Sequence, residues 1–131
     1  MPERTLICMV GLPRSGKTTS ARGMRYPIVN PDSIRLALHG ARFISLAEPF
    51  VWAIAKVMVR ALFLAGHITV ILDATNTTRK RREEWMSDDW STEFAVVPTS
   101  REDCIARATA MGDTEIIPII EKMAAQYEMV N

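Results

Sequence analysis

Eight residues, Gly11-Leu12-Pro13-Arg14-Ser15-Gly16-Lys17-Thr18, constrain this chain more than any other stretch. They fit the pattern G-x-x-x-x-G-K-[ST]. In it, glycines let the backbone turn tightly and bring its N–H groups against phosphate oxygens. A helix that opens directly after such a loop points its positive end at the same anion. The flanks supply that setting. Thr5 to Val10 is almost wholly apolar, the pattern of a buried parallel strand, and Lys17 to Met24 reads as a short helix. On average residue usage such a string arises by chance in well under ~1% of chains this long, so it is read as a nucleotide site.

Further strands are expected at 27–30, 67–72 and 93–97. Helices are expected from Asp32 to His39, stopped by Gly40, and from Glu48 to Ala65, with Pro49 in the first turn and Gly66 past the end. Others run from Arg79 to Trp90, from a Ser100 cap to about Thr109, and from Glu115 to Met129, disturbed near its start by Pro118. Residues 41–47 and 111–114 read as loops. Strands that alternate with helices argue for a parallel sheet with helices on both faces.

The length of 131 residues suits one domain over 1–131. A net charge of +1 gives no global basic field for long duplex nucleic acid, though a local groove stays open. Lys56 and Arg60 interrupt the apolar segment from Phe50 to Ala65, which argues against a membrane span. The apolar start is too short for a signal peptide, and the chain reads as cytoplasmic. Cys8 and Cys104 suggest neither a disulfide framework nor a metal site, and Cys8 reads as a buried free thiol. His39, His67, Trp52, Trp85 and Trp90 read as structural.

Three segments carry chemistry. In the loop, Lys17 reaches β- and γ-phosphates and the Thr18 hydroxyl binds Mg²⁺. Gly11, Pro13, Arg14, Ser15, Gly16, Lys17, Thr18 and Thr19 form the expected cradle for ATP. Next, Val29-Asn30-Pro31-Asp32-Ser33-Ile34-Arg35 puts a carboxylate at the C-terminal end of a strand, where ligands bind in open α/β sheets. Asp32 can accept a proton from an attacking hydroxyl, and Arg35, on the same helical face, can hold an anion. The same spacing serves equally a helix N-cap and its paired arginine. Third, Val70-Ile71-Leu72-Asp73 is an apolar strand ending in an aspartate suited to Mg²⁺ or its water. Thr75 and Asn76 add polar groups at that edge, with an Asx turn as the structural alternative. Arg79-Lys80-Arg81-Arg82 reads first as a solvated helix face and second as a phosphate contact.

Together these segments resemble the small P-loop kinases related to the kinase domain of phage-type polynucleotide 5′-hydroxyl kinases and, more distantly, the zeta-toxin kinases. Gly11 to Thr18, Asn30-Pro31-Asp32-x-x-Arg35, and Asp73-Ala74-Thr75-Asn76 with Arg81, Arg82 and Trp85 carry the likeness. Ile105-Ala106-Arg107, followed by Ile117-Pro118, looks like the family's lid. The order spans roughly Thr5 to Tyr127. The resemblance implies a three-layer P-loop NTPase fold with a four- to five-stranded parallel sheet and a small helical lid at about 107–116. It implies ATP and Mg²⁺, and a hydroxyl-bearing acceptor such as the 5′ end of a nucleic acid. Lys17, Asp32, Arg35 and Arg107 would be catalytic: Asp32 as general base, Arg35 on the acceptor's phosphate, Arg107 on the donor phosphates. Thr18 and Asp73 would hold the metal, and Thr75 and Asn76 would face the acceptor. One departure stands out. The polynucleotide kinases compared carry a second lid arginine one turn after the first, where this chain has Met111. Arg14 is the cation that could substitute.

Two other functions compete. A kinase of a small metabolite, nucleotide or antibiotic suits the near-neutral charge and the absence of an aromatic and basic ladder. A non-catalytic ATP-binding regulator suits Met111. No membrane and no obligate protein partner are expected.

Overall fold

The computed structural model describes residues 3–40 and 43–131. Residues 41 and 42 of the expected 41–47 loop lie outside the described residues, and Ser45–Ala47 form a 3₁₀ turn. Four strands, β1 (Thr5–Val10), β2 (Ile28–Val29), β3 (Thr69–Leu72) and β4 (Ser91–Val96), make one parallel sheet in the order β2-β3-β1-β4. The helices are α1 (Lys17–Met24), α2 (Pro31–His39), α3 (Glu48–Leu64), α4 (Arg79–Glu83), α5 (Arg101–Ala110) and α6 (Ile117–Gln126). The expected α/β architecture is therefore present, with four strands.

β1 pairs on both sides, which explains its apolar run. Leu6 and Cys8 join a core with Val51, Ala55, Val59 and Phe63 of α3 and with Trp85 and Trp90. Met9, on the alternate face, packs with Ala21 of α1 and Ile71 of β3. Leu12 enters a third cluster with Cys104, Ala108 and Ile120, so α5 and α6 rest on the start of the phosphate loop. Burying a side chain such as Leu6 contributes about 1.5–3 kcal/mol.

The helix expected over Arg79 to Trp90 ends at Glu83. Trp85 is fully buried, and the Ser87 hydroxyl accepts from the Asp89 amide at 3.0 Å. This local turn competes with helix continuation, and Ser87 and Trp90 form an isolated antiparallel bridge instead. The indole of Trp90 donates to Trp85 O at 3.0 Å, and β4 then starts at Ser91, two residues earlier than expected. Pro118 does not disturb α6: it lies in the first turn, where a proline's missing N–H costs nothing.

Cys8 and Cys104 are buried free thiols. Burial pushes the Cys8 thiol up from 9.0 to about 12. The unfolded thiol ionises first, so the stability Cys8 contributes is complete below pH 9.0 and is lost as the pH rises toward about 12. Raising the pH from about 8 to about 10 should therefore destabilise the wild type by about 1 kcal/mol more than Cys8→Ala, as read by urea unfolding.

Candidate functional site

The site forms where β1 and β3 end. Gly11 N–H donates to Thr75 O at 3.0 Å, and the Asn76 amide donates to Met9 O at 2.8 Å. On the other side Val97 N–H donates to Val10 O at 2.8 Å. The strand therefore enters the loop held from both neighbours. A Cβ at Gly11 would lie 2.8 Å from Ser15 Oγ and 3.0 Å from Val97 O, so glycine is needed there for space. Gly16 sits at φ 98 and caps the start of α1, where a left-handed backbone favours glycine. Arg14 also lies at a left-handed φ of 65, which costs a non-glycine residue about 1–2 kcal/mol.

Lys17 is buried, and its ammonium donates to Leu12 O at 2.8 Å. Burial lowers its pKa, opposed by the charges of Asp73 and Asp32. Both carboxylates therefore act on the lysine from across the loop. Thr18, the first-turn hydroxyl of α1, donates to Asp73 Oδ2 at 2.8 Å. Asn30 donates to the same oxygen at 3.2 Å. Ser15 Oγ is buried with no hydrogen-bond partner among the described residues. Pro13 is half-buried and Thr19 exposed.

Asn30, which drew no separate notice in the sequence, has two roles. Its Oδ1 accepts from the amides of Asp32 and Ser33 at 2.8 and 3.3 Å, so Asn30 is the cap of α2. The capping alternative for Asp32 therefore falls. The Asp32 side chain is 82% exposed and pairs with Arg35 Nη1 at 2.7 Å. Arg35 is the less available group. Its Nε and Nη2 donate to both oxygens of Glu48 at 2.9 and 2.7 Å. Burial alone would lower its pKa, but hydrogen bonds and charge from Glu48, then Asp32, raise it. Glu48 had no motif to reveal it: only folding brings the first turn of α3 to α2.

Trp52, one turn on, has Arg81 4.2 Å and Arg35 5.8 Å from its ring centre. Arg81 also pairs with Glu84 at 2.8 Å, and Arg82 is buried on Asn76 O at 2.9 Å. Arg81 and Arg82 of the basic run are thus committed to structure, while Arg79 and Lys80 are exposed. The expectation for Asn76 is corrected too. It is 1% exposed at φ 47 and its amide is bonded to β1, so it does not face an acceptor. Thr75 is half-buried and supplies its carbonyl to Gly11. Arg107 is exposed on α5, its Nη1 3.4 Å from Arg14 O. Thr99, just before α5, donates to Ser15 O at 2.7 Å.

The family described as an AAA domain (AAA_33) matches residues 6–119, from the first strand into the last helix. The chain belongs to that family. A chain of the Pnkp1/Rnl/Hen1 RNA repair complex shares this AAA domain's fold with a TM-score of 0.74 at 21% identity, over 98% of this chain and 47% of that one. A chain of another Pnkp1/Rnl/Hen1 complex gives 0.72 at 28% identity, over 82% and 40%. A gluconokinase from Sinorhizobium meliloti 1021 gives 0.62 at 19% identity, over 98% and 76%. The chain thus spans about half or less of the Pnkp1/Rnl/Hen1-complex chains it matches. No curated protein matches it significantly. The AAA domain has a P-loop kinase-like fold, and no described helix is long and apolar enough to cross a membrane.

Gly11→Ala tests the loop entry. The added methyl must displace Ser15 or the β4 end, so the variant should lose about 1–3 kcal/mol of stability in urea unfolding. Gly23→Ala, whose Cβ meets nothing within 4 Å, should cause no loss.

Proposed function

We propose that this domain is an ATP-dependent phosphotransferase that moves the γ-phosphate to an acceptor hydroxyl, and that the acceptor is the 5′-hydroxyl end of a polynucleotide. The observation that carries the reading is the convergence at the strand ends: Thr18 on Asp73 at 2.8 Å, beside a buried Lys17 that feels both Asp73 and Asp32. This is a phosphate cradle with a carboxylate close by. The likeness to chains of two Pnkp1/Rnl/Hen1 complexes, one of them an RNA repair complex, supports a nucleic-acid acceptor.

The roles follow from chemistry. Amides of residues 14–18 take the β- and γ-phosphates, with Lys17 as the buried cation. Asp32, freed from capping and mostly in solvent, accepts the acceptor's proton. Arg107, at the loop's edge, serves the donor phosphates. Residues 107–116 act as a lid, and 1–131 as one kinase domain. Thr18 and Asp73 offer the hard oxygens that Mg²⁺ prefers, which it binds through few protein ligands alongside phosphate. When bound, Mg²⁺ neutralises charge on the transferring group.

One observation favours a second reading. Glu48 already fills the Arg35 fork that an acceptor phosphate would take. A small hydroxyl compound without a phosphate needs no such exchange.

γ-labelled ATP offered to 5′-hydroxyl DNA, 5′-hydroxyl RNA, nucleosides and sugar acids separates the two. Label on the oligonucleotides supports the first reading, and label on sugar acids alone replaces it with the second. Asp32→Asn should keep MgATP binding and lose about 10²–10⁴-fold in transfer. MgATP binding with no acceptor labelled would leave a nucleotide-binding regulator.

A further inference from the structure

Arg14 is a phosphate-loop side chain that reaches the segment after α5, and the reaction above leaves its guanidinium without a task. The contacts hold this residue at both ends. Its carbonyl accepts from Arg107 Nη1 at 3.4 Å. Its Nε and Nη2 donate to Asp113 Oδ2 at 3.2 and 2.6 Å, and its Nη1 lies 3.2 Å from Met111 Sδ. Asp113 is itself fixed. Gly112, at φ 71, turns the chain, and Asp113 N–H donates to Ala108 O at 2.9 Å. Its side chain is 13% exposed.

The donor count decides what this arrangement can do. A guanidinium carries five N–H groups in a rigid fork. Two go to a single carboxylate oxygen, and a third meets a thioether, a weak acceptor that neutralises nothing. The remaining donors stay available to an anion beside Arg107. A glycine would suit the left-handed backbone at position 14 better. An arginine there, locked to the lid by a half-buried carboxylate, is an aimed cation.

We propose that Asp113 is a positioning residue that aims Arg14 as a second guanidinium at the donor phosphates, next to Arg107, and through it seats α5 on the loop. The proposal rests on the reading that Gly11–Thr18 hold a triphosphate. It adds a loop-borne cation and its orienting carboxylate to the nucleotide site.

Calorimetry with MgATP on the full chain tests it. Arg14→Ala and Asp113→Ala should each weaken binding about tenfold, the loss expected for charge-assisted hydrogen bonds. The double variant should be no weaker than Arg14→Ala alone. Arg14→Lys should recover only part, because an ammonium lacks the fork. Thermal midpoints should stay within a few degrees, and Asp113→Asn, which keeps the shape, replaces Asp113→Ala if the latter unfolds. Tighter MgATP binding by the Asp113 variant would mean that the carboxylate competes with phosphate, and would overturn the proposal. So would an unchanged affinity, or a further loss in the Arg14→Ala background. If the wild type binds no MgATP, the triphosphate reading fails and takes this one with it. If the wild type binds, Lys17→Ala does not, and the Asp113 variants match the wild type, only this proposal fails.

Discussion

The end of β1 is where this fold becomes a site. Three hydrogen bonds fix it: Asn76 on Met9 O, Val97 N–H on Val10 O, and Gly11 N–H on Thr75 O. They come from the segments after β3 and β4, so the loop's origin is set by both neighbouring strands. A phosphate cradle works because its amides are aimed before the ligand arrives, which avoids reorganisation at the moment of binding. That rigidity comes from the sheet. The sheet in turn depends on β1 being buried on both faces, with Leu6 and Cys8 in one core and Met9 in another.

Asn30 extends the same logic to the second strand end. One amide side chain caps α2 and holds Asp73, while Asp73 holds Thr18. The first turn of α1, the end of β3 and the start of α2 thereby share one hydrogen-bonded chain. Asp32 benefits indirectly. Because Asn30 satisfies the first amides of α2, the Asp32 carboxylate is left to solvent and to Arg35.

The residues differ in how visible they were beforehand. Gly11 to Thr18 was legible because its chemistry is local: a loop, a strand before it and a helix after it, all within twenty residues. Lys17 to Met24 and the Gly40 stop were legible for the same reason. The helix expected to reach Trp90 failed because two buried indoles and a Ser87 turn outweigh local propensity. Glu48, Asp113 and the inward direction of Asn76 were not legible. Each acts on a partner from another element, at separations of 13, 99 and 67 residues. Spacing along a chain carries no information about such pairs.

Charge divides the site into two unlike halves. On the loop side, Lys17 feels the charge of Asp73, Arg14 pairs with Asp113, and Arg107 reaches Arg14 O, while burial lowers the lysine's pKa against the pull of the carboxylates. On the α2 side, one guanidinium answers two carboxylates, Asp32 and Glu48. A phosphate approaching Arg35 must displace Glu48 from a two-point contact that is largely out of water, where unpairing a charge is costly. On the proposed reading, a neutral hydroxyl beside Asp32 meets no such barrier. On that reading the loop side takes the donor's phosphates and the α2 side admits an acceptor's phosphate only by exchange, so that acceptor choice would turn on the Arg35–Glu48 pair.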